Sequence, residues 1–245
     1  MASVFLSPST QEYNIYTDGS GSEEFYMNKL ADLMEPYLTA SGIKFTRNDP
    51  NQTVGGSVRQ SNAGNYDFHL ALHSNAAGSA NMGKIRGSDV YYYTWSDEGR
   101  RAADLAVAQI KKIYPIPDRV RALGTTGLYE LNNTIAPAIL VEVAYHDNPE
   151  DARWIEENLP AIARALSIST AEFLGVPFKE PSSMQTARVT TQGGRLNIRD
   201  APSGKGNIIG QIPNGQTVNI ISRTGDWYRI RYNNIDGFVS AQYIR

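Results

Sequence analysis

Two segments of the chain each place a residue capable of acid–base or metal chemistry in a predicted buried strand. His73 ends the apolar run 67–73, and Glu142 lies inside the apolar run 138–144. In open α/β sheets, ligands bind beyond the carboxyl ends of the strands, where His73 is expected to lie. A carboxylate within an apolar strand is costly unless it is paired, protonated or close to a metal. Both residues are therefore candidates for a catalytic or metal site.

Few other side chains are available as metal ligands. The chain has three His and no Cys, so a metal must be held by imidazole, carboxylate or other oxygen ligands. His69 shares a strand face with His73, but four strand residues separate the two by ~13 Å, too far for one zinc ion. We therefore predict that His69 is a hydrogen-bonded core residue. Glu24 lies near the start of a predicted helix, where it is either a partner of the helix dipole or a site residue.

The elements around these residues alternate short apolar runs with amphipathic stretches. This alternation is typical of βαβ units around a mostly parallel twisted sheet flanked by helices, an α/β fold. The predicted strands are 3–6, 44–47, 68–73, 89–94 and 138–144, and the predicted helices are 23–40, 96–114, 149–159 and 160–174. Pro160 is expected to divide the last two helices.

The chain is predicted to contain two domains. Residues 1–174 form the α/β domain, and residues 175–186 have the Pro and Ser content of a linker. In residues 187–245 the apolar period falls to two and turn signals are frequent, which indicates a small all-β barrel.

Charge and hydropathy limit the partners. Residues 187–245 carry eight Lys and Arg against three Asp, a net charge of +5, which leaves −7 on the rest of a chain of net charge −2. A basic module suggests an anionic polymer as partner, although a charge excess also serves solubility. No apolar run approaches the ~20 residues of a membrane span, so we expect no membrane insertion. The Gly-rich stretch 19–22 lacks the following Lys of a phosphate-binding loop, so we expect no such loop there. We also expect no nucleic-acid partner.

The last 59 residues, from Ala187, resemble a bacterial SH3 (SH3b) domain, most clearly in residues 190–203, 208–215, 227–232 and 237–244. Segments 24–28, 72–76 and 137–151 resemble the zinc-dependent N-acetylmuramoyl-L-alanine amidases of the amidase-3 family, and this similarity spans residues 3 to about 174. The first resemblance implies binding to the bacterial cell wall. The second implies hydrolysis of peptidoglycan at the amide between the lactyl group of N-acetylmuramic acid and L-alanine.

The amidase resemblance also implies roles for individual residues. Glu24 and His73 match two metal ligands of the family, and Glu142 matches its catalytic Glu, whereas Thr10 occupies the position of the first zinc His. Three explanations of this gap stay open. His146 turns back into the site as a third ligand; Gln11, Asn14 or water completes a weaker site; or the domain is metal-free and has lost the reaction.

The resemblance leads to a functional hypothesis with two alternatives. On the first hypothesis, Zn²⁺ lowers the pKa of a bound water to ~7 and Glu142 transfers its proton to the leaving nitrogen. The alternatives are a non-catalytic wall-binding protein with a degenerate amidase domain and a metallopeptidase that cuts the stem peptide. The N-terminus is typical of a first strand rather than a signal peptide. We expect action at the bacterial wall after holin-dependent or lytic release, as an endolysin or autolysin.

Overall fold

The computed structural model describes residues 1–181, 186–233 and 235–245. Their contacts divide the chain into two compact units, Met1–Lys179 and Glu180–Arg245. The first unit extends past the predicted boundary at residue 174, because Val176 and Phe178 pack against its core. Residues 182–185 of the predicted linker lie outside the described residues, so the linker itself stays a prediction.

A six-stranded sheet forms the centre of the first unit. Its strands are β1 (Ser3–Pro8), β2 (Lys44–Arg47), β3 (Phe68–Asn75), β4 (Ser88–Tyr93), β5 (Val120–Thr125) and β6 (Ala138–Tyr145). Their order is β2-β1-β3-β6-β4-β5. Every neighbouring pair is parallel except β4 with β6, which confirms the mostly parallel sheet. The strand β5 was not predicted, because its sequence has little apolar character.

Five helices flank this sheet: α1 (Glu23–Ala40), α2 (Val54–Ala63), α3 (Asp97–Ile110), α4 (Tyr129–Asn133) and α5 (Pro149–Phe173). The expected break at Pro160 is wrong, since α5 is continuous through it. Leu159 and Ile162 are buried on either side of Pro160. Burial of this apolar face offsets the ~3 kcal/mol that an interior Pro costs. The prediction missed α2, which contains two Gly, and α4, which has five residues.

The two faces of the sheet have different chemistry. On one face, Leu6, Leu72 and Val141 belong to the large apolar core that also includes residues of α1, α3 and α5. Strand side chains alternate between faces, so His73 and Glu142 lie on the other face. That face carries a smaller apolar cluster with α4 and leaves room for polar groups. The alternation therefore separates the core that stabilises the domain from the candidate site.

The second unit is all-β in the part that is described. Its strands are β7 (Thr186–Arg188), β8 (Leu196–Arg199), β9 (Ile208–Ile212), β10 (Thr217–Thr224), β11 (Trp227–Tyr232) and β12 (Ile235–Ser240). They pair antiparallel in the order β7-β10-β11-β12-β8-β9 around a core that includes Val189, Ile198, Ile230 and Val239. The all-β class is confirmed, whereas closure into a barrel stays a prediction. In the described parts of both units, no helix has the length and apolar character needed to cross a membrane.

Candidate functional site

A cleft of about 1010 Å³ opens at the carboxyl ends of β1 and β3. Its walls come from the loop after β1, the segment 48–54 and α4, and its floor includes His73 and Glu142. Exposed aromatic side chains, Tyr13 and Tyr129, line its rim. The volume matches the upper range of ligand pockets. The two residues selected from the sequence thus lie in the same cleft.

His73 and Glu142 are neighbours because β3 and β6 are in register at that point. They are direct partners in the parallel pairing, and the register shifts immediately afterwards. Within the described residues, Oε2 of Glu142 has no hydrogen-bond partner. Burial, together with the negative charges of Glu23 and Asp89, raises the pKa of Glu142 to about 7. A carboxyl with this pKa can accept a proton and return it near neutral pH.

The imidazole of His73 lies between two carboxylates. Its Nδ1 is 2.8 Å from Oε1 of Glu23, and its Nε2 is 3.7 Å from Oε2 of Glu130. Burial opposes a charge on the ring, but the interactions with Glu130 and Glu23 outweigh it and raise the pKa of His73 to about 10. In the metal-free protein this ring is therefore a cation at neutral pH.

Glu23 owes its position to the start of α1. The side chain of Ser22 caps the helix, and the backbone N–H of Glu23 donates to the carbonyl oxygen of Asn14. The Glu23 carboxylate is almost fully buried and accepts hydrogen bonds from Nδ2 of Asn14, at 2.7 Å, and Nε2 of Gln11, at 3.3 Å. Although burial opposes ionisation, the hydrogen bond and charge of His73 lower the pKa of Glu23.

Glu24 does not occupy the place that the sequence assigned to it. It lines the cleft, but its Oε1 accepts a hydrogen bond from Nδ2 of Asn28 at 3.1 Å, and Glu23 contacts His73 instead. Successive helical residues point ~100° apart, so the two carboxylates cannot share one direction. Glu24 as a metal ligand stays a prediction that no described contact supports.

Glu130 is the second carboxylate at His73, and the sequence did not indicate it. Its Oε1 accepts hydrogen bonds from Oγ of Ser7, at 2.5 Å, and lies 2.9 Å from Nε2 of His69. The other nitrogen of His69 is 2.9 Å from Oγ of Ser61. His69 is fully buried, which confirms the prediction of a hydrogen-bonded core His. Burial opposes a charge on Glu130, but the hydrogen bonds from His69 and His73 hold the pKa of this carboxyl well below its usual range.

The described contacts of His146 lie away from His73, so His146 as a third ligand stays a prediction that no described contact supports. Its Nδ1 lies 2.8 Å from the carbonyl oxygen of Ser74, and its ring stacks on Tyr16 at 5.3 Å. Its carbonyl oxygen accepts a hydrogen bond from the backbone N–H of Thr17. His146 therefore supports the loop between β1 and α1 from within the fold.

The donors do not fit the three-ligand zinc site that the resemblance implies. Thr10 lines the cleft without supplying an imidazole, and beside Nδ1 of His73 lie only Glu23 and the amide of Gln11, the latter at 3.5 Å. Among the described residues, no three His, Cys, Asp or Glu side chains converge as a metal site. Glu130 approaches the opposite edge of the imidazole. Two donors are present where catalytic zinc sites use three.

Comparison with known sequences identifies the family. Residues 12–171, more than half of the chain, match the N-acetylmuramoyl-L-alanine amidase family, and residues 194–245 match the bacterial SH3 domain. The chain belongs to the N-acetylmuramoyl-L-alanine amidase family. The residues matched to the amidase family include Glu23, His73, Glu130 and Glu142.

Two known proteins match parts of the chain in sequence. The chain is 30% identical over 114 residues to bacteriocin BCN5 of Clostridium perfringens, covering 44% of this chain and 13% of that protein. It is 25% identical over 158 residues to the N-acetylmuramoyl-L-alanine amidase LytC of Bacillus subtilis (strain 168), covering 63% of this chain and 31% of LytC. The chain thus spans less than a third of the length of either protein.

Among solved structures, the catalytic domain of CwlV, an N-acetylmuramoyl-L-alanine amidase from Bacillus (Paenibacillus) polymyxa var. colistinus, is similar. It matches 72% of this chain and 100% of that domain with a TM-score of 0.59 and 17% identity. At this identity the likeness shows a shared fold.

Asp89 is a buried strand carboxylate next to Glu142 that the sequence analysis did not select. It is the second residue of β4 and a buried carboxylate, pairs with Glu142 across the sheet and accepts a hydrogen bond from Nε of Arg121 at 3.0 Å. A carboxylate entering an apolar strand was the same signal that selected Glu142. Glu130 gave no such signal, because its short helix has no apolar periodicity.

The raised pKa of Glu142 predicts a pH-dependent cost to stability. Below pH 4.5, the pKa of this carboxyl in the unfolded chain, Glu142 is neutral in both the folded and the unfolded state. Between pH 4.5 and about 7 the carboxyl ionises in the unfolded chain but stays protonated in the folded protein. The free energy of unfolding therefore falls as the pH rises through this range. The free energy of unfolding of Glu142→Gln, measured relative to the wild type, should therefore be about 2 kcal/mol higher at pH 8 than at pH 5. Denaturant unfolding followed by circular dichroism at 222 nm measures this, because α1–α5 all lie in the first unit.

The matched control is Glu98→Gln, since Glu98 is largely exposed and pairs only with Arg101 among its described contacts. Its difference from the wild type should be the same at both pH values. An unchanged difference for Glu142→Gln across this range would contradict the raised pKa.

Proposed function

We propose that the first unit is a peptidoglycan hydrolase that cleaves the amide between the lactyl group of N-acetylmuramic acid and L-alanine of the stem peptide. Family membership supports the reaction class. The observation that carries the proposal is Glu142, which lines the cleft beside His73 and whose buried Oε2 has no hydrogen-bond partner among the described residues. An open cleft of this size suits a polymer that must enter from the side.

Glu142 has the properties that hydrolysis of an amide requires. As a carboxylate it accepts a proton from water while the water oxygen bonds to the lactyl carbonyl carbon. When the C–N bond breaks, the same proton passes from Glu142 to the L-alanine nitrogen, which leaves as a neutral amine. The positive charge of His73 lowers the pKa of Glu142 against the effect of burial and so favours the ionised base.

The first test is the product of digestion. Wild-type protein incubated with purified peptidoglycan should release intact stem peptides with a free L-alanine amine, detected by mass spectrometry. Glu142→Gln should lose activity by about 10²–10⁴-fold because it removes the proton acceptor. Glu98→Gln, an equal charge change on an exposed helix position, should keep it.

Other results of the digestion would support the alternative functions. Fragments cut within the stem peptide would identify a peptidase, and retained activity in Glu142→Gln would exclude Glu142 as the base. No release by the wild type would favour a non-catalytic wall-binding protein, the alternative that Thr10 at the first His position supports.

Zinc dependence is a finer proposal that rests on the family resemblance alone. The resemblance implies it, and His73 and Glu23 supply two suitable donors, but the third position holds Thr10. A zinc ligand must also be a neutral imidazole, whereas the two carboxylates favour the protonated form of His73. Bound zinc would therefore have to displace the proton of His73.

Restoring an imidazole at position 10 tests this account of the metal. Thr10→His should bind zinc more tightly than the wild type and retain it near one ion per chain after dialysis, because it adds the missing donor. Titration calorimetry and elemental analysis measure both quantities. Thr10→Ala should bind like the wild type; a loss of zinc in Thr10→Ala would instead make the Thr10 hydroxyl a ligand.

We propose that the second unit binds an anionic polymer of the bacterial cell wall. A cleft of about 870 Å³ on this unit is lined by the aromatic side chains of Trp227 and Tyr243 and by Arg195, Arg199 and Arg245. No Asp or Glu is among the described lining residues. Arginine suits carboxylate and phosphate groups, and the aromatic rings offer flat apolar surface. Binding here would raise the local concentration of the hydrolase on its insoluble substrate.

Arg195→Glu tests this cleft, because Arg195 is exposed and lies at its edge. Reversing one charge should weaken sedimentation of the full chain with purified cell walls by about fivefold, or roughly 1 kcal/mol. Lys205→Glu is the matched control, since Lys205 is exposed on the same unit but does not line the cleft. Equal weakening by both variants would show a diffuse charge effect and contradict the assigned cleft.

The site of action follows from the proposed substrate. Peptidoglycan lies outside the cytoplasmic membrane, so we propose action at the bacterial wall, as an endolysin or autolysin. The proposed hydrolase and the proposed wall-binding module support each other in this respect.

A further inference from the structure

Glu130 is a buried carboxylate of the cleft to which the amidase resemblance assigned no role. We propose that Glu130 is a positioning residue for the amide hydrolysis, and that it fixes the imidazole of His73 in the orientation that faces Glu23 and Glu142. The proposal rests on the proposed function of the first unit. It concerns the residues of this chain and holds with or without a metal.

The contacts of Glu130 fix its own carboxylate first. It is 4% exposed, and Oε1 receives the hydrogen bond from Ser7 on β1 and lies 2.9 Å from Nε2 of His69 on β3. Oε2 remains free to approach Nε2 of His73, at 3.7 Å. Two strands therefore hold one oxygen of the carboxylate and direct the other at His73.

The geometry of the imidazole explains why two carboxylates matter. A 180° rotation of a histidine ring about its Cβ–Cγ bond keeps the ring's shape but exchanges nitrogen and carbon positions, so only polar partners select one orientation. Glu23 lies at Nδ1 and Glu130 at Nε2, on opposite edges of the ring. Any flip loses both interactions at once. A carboxylate partner at the second nitrogen is also how proteins orient histidines that act in a site.

Anchoring α4 does not by itself explain Glu130. The neighbouring residue Leu131 is buried and packs α4 against Ala71 and Leu140 of the sheet. An apolar side chain performs this anchoring without the cost of burying a charge. A buried carboxylate beside an apolar anchor on a five-residue helix therefore indicates a second role, and its Oε2, the oxygen not bonded by Ser7 and His69, approaches His73 in the cleft.

The test compares Glu130→Gln, Glu130→Asp and the exposed control Glu98→Gln. Three quantities are measured for each: kcat and KM for release of stem peptides from solubilised peptidoglycan, the melting temperature of the helical signal, and the ¹H–¹⁵N imidazole signals of the histidines at pH 7. The chain has three His, so single substitutions of His69 and His146 by Gln assign the remaining signal to His73.

Glu130→Gln should lower kcat by roughly 10–100-fold with KM near the wild-type value. It should also shift the imidazole signals of His73, because the ring loses its partner at Nε2. Glu130→Asp restores the charge and should recover part of kcat, whereas Glu98→Gln should match the wild type. A purely structural residue would lower the melting temperature without this division between kcat and KM.

Two results would overturn the proposal. One is wild-type kcat in Glu130→Gln; the other is unchanged His73 signals in a folded Glu130→Gln protein. If the wild type releases no stem peptides, the proposed function fails, and the His73 signals still decide whether Glu130 orients the ring.

Discussion

The position of His73 between two carboxylates is the constraint on which the candidate site depends. Glu23 comes from the start of α1 and Glu130 from α4, and both reach an imidazole at the end of β3. The loop after β1 supplies the amides of Gln11 and Asn14 that hold Glu23. Four elements distant in sequence thus meet at one ring, and the sheet order β2-β1-β3-β6 places Glu142 beside it.

The same arrangement separates the roles of three carboxylates. Despite burial, His73 lowers the pKa of Glu23, and His69 together with His73 lowers the pKa of Glu130, whereas burial dominates for Glu142 and raises its pKa to about 7. When neighbouring titratable groups have pKa values that their environments push apart, the difference separates groups that stay charged from a group that can act as acid and base. Glu142 is the group left able to exchange a proton near neutral pH. That assignment depends on His73 being held, because its charge opposes the burial of Glu142.

The sequence predicted those features that depend on residues within one helix or strand. Polar residues in apolar strands identified His73 and Glu142, and helical periodicity identified α1, because both signals arise within one element. The choice between Glu23 and Glu24 depends on the direction in which α1 leaves its cap, a tertiary feature. Glu130 acts through contacts with residues 123 and 61 positions away in sequence, which no local pattern contains. The continuity of α5 through Pro160 likewise results from packing.

In the candidate site, the carboxylates of Glu23 and Glu130 favour the protonated form of the His73 imidazole. The most direct measurement of this central claim is a ¹⁵N titration of the His73 imidazole in chelator-treated wild-type protein. The account predicts that both nitrogens stay protonated from pH 6 to pH 8, since the pKa of His73 is raised to about 10. A neutral single tautomer that titrates near 6.5 would contradict it.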